Sequence, residues 1–171
     1  MIPTAFQLIL LQPLGRPYVW NSGGLISGRS CWPLGNSTTK SSGRRGWECS
    51  HLAQEASVQL GTLRPDAWQD IRAHDFAYAC DPVELADAIV GDLVFYKPDG
   101  SGTITHMAMI FSLGGAGARA MVIEAAGGGS KTHGNSPRGA VRIKPIDYRS
   151  DRLVIGRIKG RFRPATTNEG S

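Results

Sequence analysis

The chain has 171 residues, of which 41% are apolar, so it is long enough for one domain with a single hydrophobic core. Its formal net charge of +5 and its pI of about 9.4 favour an anionic partner. The basic residues form neither a helical stripe nor an aromatic-interleaved RNA-binding signature, so we expect no nucleic-acid partner.

The N-terminal segment, residues 2–14, is apolar and predicts a core helix that is ended by Pro13 and Gly15. The segment is too short to span a bilayer, and we expect no membrane insertion. No basic residue precedes it and no small-residue cleavage site follows it cleanly, which does not fit a signal peptide. If the protein works outside a cytoplasm, we therefore expect another machinery to deliver it.

A long loop rich in Gly, Ser, Thr and Asn follows at residues 21–46. Loops of this length in compact domains are usually functional or disordered. Because the loop leads to Cys49, a lid or a substrate-contacting role is one interpretation, and plain disorder is the other.

The stretch after this loop predicts a helix whose first turn contains Cys49. Leu52, Ala53, Ala56 and Leu60 recur at spacings of three and four residues, which is the pattern of one apolar helix face. A thiol in the first turn lies near the positive end of the helix dipole and near unpaired backbone N–H groups, and both favour the thiolate. Taken alone, the stretch favours the simpler interpretation, a small apolar cysteine with no chemical role.

The rest of the chain predicts two more short helical segments and then five strands. The helical segments are residues 66–79 and a short helix or turn at residues 83–90, and the strands are residues 93–96, 104–111, 120–125, 141–146 and 153–158. Helices followed by a run of strands predict an α+β domain in which the helices pack on a mostly antiparallel five-stranded sheet. We assign residues 1–160 to a single domain and the polar residues 161–171 to a flexible tail.

Two ionisable residues lie on strands that are otherwise apolar. His106 shares the face of its strand with Ala108 and Ile110, and Glu124 is the one carboxylate in its strand. Burying an unpaired carboxylate costs several kcal/mol, so Glu124 should have a partner. A Cys at a helix start, a His on a core strand and a polar residue on the neighbouring strand are the components of a cysteine nucleophile system.

Cys31 and Cys80 are the other cysteines of the chain. They are either two unrelated free thiols or, in an oxidising compartment, a disulfide. No C-x-x-C pair is present, so we expect neither a metal site nor a cofactor.

Four segments resemble, in order, the successive motifs of the NlpC/P60 cysteine peptidases. They are GRPYVW at residues 15–20, ECS at residues 48–50, GDLVFY at residues 91–96 and THMAMI at residues 105–110. The resemblance implies a papain-like α+β fold. It also implies a protein that binds peptidoglycan and cleaves amide bonds in its stem peptides, often between D-glutamate and a diamino acid.

Carried over by position, the resemblance makes Cys49 the nucleophile and His106 the general base. Tyr18 would line the site and help to hold the oxyanion. Glu124 stands where the family places its third polar residue, usually a His, and His133 has that residue type but lies in a polar loop. A carboxylate in an apolar strand needs a reason and a His in a polar loop does not, so we favour Glu124 and keep His133 as the alternative.

Substrate contacts are expected from Trp20, Glu48 and Ser50, which belong to the same motifs. The family commonly has Asp-Cys-Ser-Gly, where this chain has Glu48-Cys49-Ser50-His51, and the loop before the cysteine is longer than usual. These departures bear on substrate preference more than on reaction type.

The leading hypothesis is a monomeric cysteine endopeptidase that acts on the bacterial cell wall, as a phage lysin, a tail-associated wall hydrolase or a delivered antibacterial effector. The first alternative is a CHAP-type N-acetylmuramoyl-L-alanine amidase, which shares the Gly-Asp strand and the His strand but not Tyr18-Val19-Trp20. The second is a non-catalytic wall-binding or structural domain, which would need neither Cys49 nor His106.

Overall fold

A computed structural model describes residues 4–19, 30–36, 45–63, 72–97, 102–114, 118–127 and 139–159 of the chain. These residues contain three α-helices, six β-strands and one turn of 3-10 helix at Leu85–Asp87. The helices are α1 (Ala5–Leu11), α2 (Cys49–Gln59) and α3 (Ala73–Tyr78). The strands are β1 (Cys80–Val83), β2 (Leu93–Lys97), β3 (His106–Ser112), β4 (Met121–Ala126), β5 (Ala140–Pro145) and β6 (Arg152–Ile158).

The six strands form one sheet in the order β1-β6-β2-β3-β4-β5, and every neighbouring pair is antiparallel. The predicted α+β class and the antiparallel sheet are therefore confirmed. Each of the five predicted strands is present with ends that differ from the prediction by at most two residues.

The prediction of five strands is wrong by one, because β1 was not expected. The Asp81-Pro82 pair predicts the end of the preceding helix, and residues 83–90 are predicted to form a short helix or turn. In the structure β1 is an edge strand paired with β6, with Pro82 opposite Gly156. An edge strand tolerates proline because one side of its backbone needs no partner in the sheet.

Both faces of the central strands β2, β3 and β4 are buried. Leu93 and Phe95 of β2 lie in the larger core with the three helices, whereas Val94 and Tyr96 lie in a second core on the other face. The second core is covered by the segments before β2 and after β5, through residues such as Ala88. Strands buried on both faces explain why their sequences are almost continuously apolar.

Helix α2 lies against β3 and β4, the two strands that carry His106 and Glu124. Its predicted apolar residues are all buried, namely Leu52, Ala53, Ala56 and Leu60. The packing of α2 therefore brings its N-terminus, where Cys49 lies, to the part of the sheet that carries the two polar residues.

The first helix is shorter than predicted, since it ends at Leu11 rather than at Pro13. It begins with a capping box in which the side chains of Thr4 and Gln7 each bind the other's backbone N–H. Of the predicted helix at residues 66–79, residues 66–71 lie outside the described part of the chain, as does the predicted tail at residues 161–171. Among the described helices, none is long and apolar enough to cross a membrane.

Candidate active site

Cys49 is the first residue of α2 and is partly exposed. Glu48 precedes it in an extended conformation and its side chain makes no capping hydrogen bond to the helix. The first helical hydrogen bond runs from Leu52 N–H to Glu48 O, so the helix itself leaves the N–H groups of its first turn unused. An oxyanion that forms at this position would be stabilised by those N–H groups and by the helix dipole.

None of the three cysteines forms a disulfide, and both Cys31 and Cys80 are buried. Burial, together with neighbouring carboxylates, raises the pKa of each of these two thiols to about 12. Cys49 is therefore the thiol that solvent and reagents can reach.

His106 connects Cys49 with Glu124. Its Nε2 lies 2.6 Å from Oε2 of Glu124, and its ring also makes a side-chain hydrogen bond with Cys49. Because Nε2 is used by the carboxylate, Nδ1 is the ring nitrogen that remains for the thiol. His106 is the first residue of β3, and not an interior residue of the strand as predicted.

Glu124 is completely buried and accepts hydrogen bonds from three side chains. His106 and the hydroxyl of Tyr148 bind Oε2, and Nε of Arg142 donates to Oε1 at 2.9 Å. Arg142 is the residue directly opposite Glu124 on β5. Several charge-assisted bonds are what a buried carboxylate needs to offset its lost hydration.

The geometry shifts the pKa values of His106 and Glu124 in opposite directions. Burial alone would lower the pKa of His106, but its hydrogen bonds to Cys49 and Glu124 outweigh burial and raise it to about 9. Burial would raise the pKa of Glu124, but the bonds from His106, Tyr148 and Arg142 lower it to about 2. An imidazolium facing a carboxylate is therefore the favoured state near neutral pH.

Tyr18 lies in a segment held between two parts of the chain. Its backbone N–H binds Gly139 O, and it forms a parallel bridge with Trp47, the residue two before Cys49. Burial raises the pKa of the phenol above its usual range, and the nearby charges of Cys49 and Glu48 raise it further. The phenol therefore stays protonated, and the Tyr18 backbone lies next to the segment that leads into Cys49.

Two predicted substrate-binding residues bind each other next to Cys49. The hydroxyl of Ser50 donates to Oε1 of Glu48 at 2.5 Å, and Nδ1 of His51 lies 3.2 Å from the same oxygen. The structure therefore brings together Cys49, His106, Glu124, Tyr18, Glu48 and Ser50. The predictions for Trp20 and His133 concern residues outside the described part of the chain.

Part of the predicted loop at residues 21–46 is fixed to α2 by the buried carboxylate of Glu55. Oε2 of Glu55 accepts a hydrogen bond from Ser30, and Oε1 accepts one from the backbone N–H of Cys31. The next residue, Trp32, lines one small cavity together with Cys49. The described part of the loop therefore forms a wall beside the thiol, which fits the substrate-contacting interpretation.

Glu55, Arg142 and Tyr148 are the residues of this region that sequence reasoning missed. Glu55 gives little signal in the sequence, because Gln54, Ser57 and Gln59 around it on the helix are polar as well. Tyr148 gives no signal, because it follows β5 in a turn and reaches Glu124 only through the fold.

Within the described residues, no group of three or more His, Cys, Asp or Glu side chains is arranged to hold a metal ion. The chemistry that the arrangement offers is that of a nucleophile, a base and a residue that orients the base.

The fold is similar to solved structures of NlpC/P60 domains. The P60 domain of an antigen from M. avium subspecies paratuberculosis matches over 90% of this chain and 91% of its own, with 23% identity and a TM-score of 0.57. RipB, a peptidoglycan hydrolase from Mycobacterium tuberculosis, matches over 92% of this chain and 68% of its own, with 24% identity and a TM-score of 0.55.

A third similar structure is RipD from Mycobacterium tuberculosis, described as a non-catalytic NlpC/p60 domain protein with an adaptation to peptidoglycan binding. It matches over 91% of this chain and 98% of its own, with 19% identity and a TM-score of 0.54. No protein-family model and no curated protein matches the sequence. The helices, the antiparallel sheet and these likenesses together show that the chain has the NlpC/P60 fold.

Proposed function

We propose that this protein is a cysteine peptidase that hydrolyses amide bonds in the stem peptides of peptidoglycan. The observation that carries the proposal is the hydrogen-bonded series Cys49–His106–Glu124 at the N-terminus of α2. A fold alone does not define a function, but a nucleophile, a base and an orienting carboxylate in contact do define a type of chemistry.

In the proposed reaction the thiol proton of Cys49 already lies on Nδ1 of His106 in the free enzyme, which gives a thiolate beside an imidazolium held by Glu124. The sulfur attacks the carbonyl carbon of the scissile amide, and the carbonyl oxygen becomes an oxyanion. Backbone N–H groups of the first turn of α2 and the Tyr18 hydroxyl stabilise that oxyanion.

The tetrahedral intermediate then collapses, the C–N bond breaks and His106 gives its proton to the leaving amine. The product that remains is a thioester on Cys49. Water attacks this thioester with His106 as base, which releases the carboxylate product and restores the thiol.

The finer proposal is an endopeptidase that cleaves between D-glutamate and a diamino acid. The support for it is the resemblance of residues 15–20 and 48–50 to the family motifs, with Trp20, Glu48 and Ser50 as substrate contacts. The net charge of +5 suits an anionic wall, as expected of a phage lysin, a tail-associated wall hydrolase or a delivered effector.

A non-catalytic wall-binding domain is the main competing function, since RipD is described as such a protein and has a similar fold. The contact of Cys49 with His106 favours catalysis over binding alone, because binding does not require a paired nucleophile and base. A CHAP-type amidase is the other competitor, and it differs in the bond that it cleaves.

The deciding experiment is digestion of purified peptidoglycan, with the new amino and carboxyl ends identified by mass spectrometry. An endopeptidase releases the amino group of the diamino acid, whereas an amidase releases that of L-alanine. Cys49→Ala should lower the rate by about 1,000-fold or more, because it removes the nucleophile.

The matched control is Cys80→Ala, which removes a buried thiol on β1, three strands away from β3 in the sheet, and should keep the rate within about twofold. Hydrolysis at the wild-type rate by Cys49→Ala would end the peptidase proposal. Sedimentation of the intact protein with peptidoglycan that it does not cleave would favour the wall-binding alternative.

A further inference from the structure

The carboxylate of Glu124 is shared between His106 and two donors from the C-terminal part of the sheet. One donor is Arg142 on β5, and the other is Tyr148 in the β5–β6 turn, which comprises residues 146–151. We propose that both are positioning residues: the Tyr148 hydroxyl holds the Glu124 carboxylate against His106, and Arg142 competes with His106 for it. The inference deepens the proposed function and rests on it for its catalytic consequence.

The two oxygens of Glu124 have different partners. Oε2 lies between Nε2 of His106 and the Tyr148 hydroxyl, whereas Oε1 accepts from Nε of Arg142. A hydroxyl that donates to Oε2 fixes that oxygen at the place where it also meets the imidazole. The Tyr148 bond therefore sets the orientation of the carboxylate, and not only its charge.

Arg142 can make more hydrogen bonds to the Glu124 carboxylate than the one it makes in the structure. A guanidinium carries five N–H donors in a planar fork that matches both oxygens of a carboxylate. In the structure the bond to Glu124 is made through Nε, and the Arg142 side chain is 37% exposed, so its outer end is free to turn. If Tyr148 does not hold Oε2, the carboxylate can rotate into a two-bond pair with Arg142 and leave His106.

Tyr148 is well placed for this role because its own position is fixed. Its backbone N–H binds Pro145 O, and its ring meets the Tyr96 ring edge-on at 5.7 Å. Burial raises the pKa of the Tyr148 phenol and the bond to Glu124 raises it further, so the hydroxyl remains a donor at neutral and moderately alkaline pH.

Among the described residues, charged and titratable side chains reach the pair from α2, from the neighbouring strands and from the β5–β6 turn. The titratable and charged side chains that act on His106, on Glu124 or on the tyrosines beside them are Cys49 from α2, Tyr96 from β2, Arg142 from β5, and Asp147, Tyr148, Arg149 and Asp151 from the β5–β6 turn. Of these, Arg142 and Tyr148 bind the Glu124 carboxylate directly.

The test is an NMR titration of the His106 imidazole in the full-length protein, with the His106 signals assigned by their loss in His106→Gln. The wild-type midpoint is expected near pH 9. Tyr148→Phe should lower it by about one unit, which is the size of one lost hydrogen bond to a charged group. Arg142→Gln should leave the His106 midpoint unchanged or raise it, because the guanidinium no longer competes with the imidazolium for the Glu124 carboxylate.

The double variant Tyr148→Phe/Arg142→Gln separates competition from simple loss of a bond. Without the Arg142 guanidinium, the Glu124 carboxylate has no alternative donor to rotate towards. The His106 midpoint should therefore return to the wild-type value or above. Arg142→Lys, which keeps the charge but lacks the fork, replaces Arg142→Gln in this comparison if the latter is unfolded by circular dichroism.

The matched control is Tyr96→Phe, which removes a buried hydroxyl from the same core. That hydroxyl donates to Ile146 O and not to Glu124, so the midpoint should stay within about 0.2 units of the wild type. A Tyr148→Phe midpoint equal to that of Tyr96→Phe would overturn the positioning role of Tyr148. A double variant as low as Tyr148→Phe alone would overturn the competition by Arg142.

Steady-state kinetics on peptidoglycan fragments test whether the position of the Glu124 carboxylate affects turnover. Tyr148→Phe should lower kcat about tenfold with KM unchanged, and the alkaline limb of its pH profile should move down with the NMR midpoint. If the wild type itself cleaves no peptidoglycan, the proposed function fails while the titrations still decide the inference.

Discussion

Two glycines make the space that Tyr18 occupies. A Cβ atom on Gly127 would lie 2.7 Å from Cε1 of Tyr18, and one on Gly139 would lie 2.8 Å from the Tyr18 Cβ. Both distances are far shorter than a carbon–carbon contact, so neither position accepts a side chain while Tyr18 stays where it is. The backbone of the segments around β4 and β5 is thus shaped to seat the tyrosine beside Cys49.

Gly127→Ala should displace the Tyr18 ring and lower kcat about tenfold, if the phenol helps to hold the oxyanion. Gly102→Ala is the control, because a Cβ atom there meets nothing within 4 Å. The measurement is kcat on peptidoglycan fragments, with circular dichroism to check the fold. Equal kcat values for the two variants would separate Tyr18 from the reaction, and a comparable loss in Tyr18→Phe would support its role.

The pair of His106 and Glu124 makes stability depend on pH in two windows. The pKa of His106 rises from 6.5 to about 9 on folding, so its contribution is complete below pH 6.5 and is lost as the pH rises through about 9. The pKa of Glu124 falls from 4.5 to about 2, so its contribution is complete above pH 4.5 and is lost as the pH falls through about 2. Both contributions are present together between pH 4.5 and 6.5.

His106→Gln should therefore flatten the fall in thermal midpoint between pH 6.5 and 9 that the wild type shows, because a glutamine does not titrate. The measurement is the thermal midpoint at half-unit steps of pH, with His74→Gln as the control at a histidine outside the site. Parallel curves for wild type and His106→Gln would contradict the coupling of folding to this imidazole.

The parts of the site that the sequence reveals are those whose residue type conflicts with its surroundings. Glu124 in an apolar strand requires a partner, and the order of the motifs indicates Cys49 and His106. Arg142 and Tyr148 come 18 and 24 residues after Glu124, and they meet it only through strand register and a turn. The local sequence carries no information about either of these contacts with Glu124.

At the scale of elements, α2 has two tasks. Its first residue is Cys49. Glu55 on the same helix binds Ser30 and Cys31, and this fixes the loop residue Trp32 beside Cys49. Glu55 is completely buried, so its hydrogen bonds from Ser30 and Cys31 offset the cost of removing a carboxylate from water. One helix thereby fixes both the thiol and a wall beside it.

Glu55→Gln should lower the free energy of unfolding by about 1–3 kcal/mol, because the new amide group would face a donor where an acceptor is needed. It should also raise KM, since the loop beside Cys49 is no longer held. Denaturant unfolding and KM on peptidoglycan fragments are the measurements.

Gln59→Ala is the matched control on the same helix. Its amide donates to the same Ser30 hydroxyl at 3.2 Å but in an exposed position, so the loss should stay within about 0.5 kcal/mol. Equal destabilisation by the two substitutions would contradict the anchoring role of Glu55.

Strands were easier to predict than their ends. Alternating or continuous apolar residues locate five strands, but β1 contains Asp81 and Pro82, which indicate a turn. Only the pairing with β6 makes these four residues a strand, and that pairing joins positions more than 70 residues apart. The start of β3 at His106 likewise depends on tertiary contacts, because Ile104 would extend the apolar pattern.

At the scale of the whole molecule, the order of elements was sufficient for the class of fold. Helices followed by strands gave an α+β domain with an antiparallel sheet, and the motifs gave the NlpC/P60 fold that the solved structures share. The second core, on the face of the sheet away from the helices, was not predicted. It depends on segments before β2 and after β5 that have no periodic pattern of their own.

The net charge of +5 is a property of the whole molecule, and its predicted role is to concentrate the protein on an anionic wall. Raising the salt concentration to about 0.5 M shortens the Debye length to about 4 Å, which screens long-range attraction but leaves the contact between Cys49 and His106 almost unaffected. Salt should therefore slow the hydrolysis of intact walls at least about tenfold, while cleavage of a soluble stem peptide changes less than about twofold. Both rates are measured with the same enzyme in the same buffers, so each substrate controls for the other. An equal loss of rate on the two substrates would mean that salt acts on the site or on the fold, and that the charge does not serve to bind the wall.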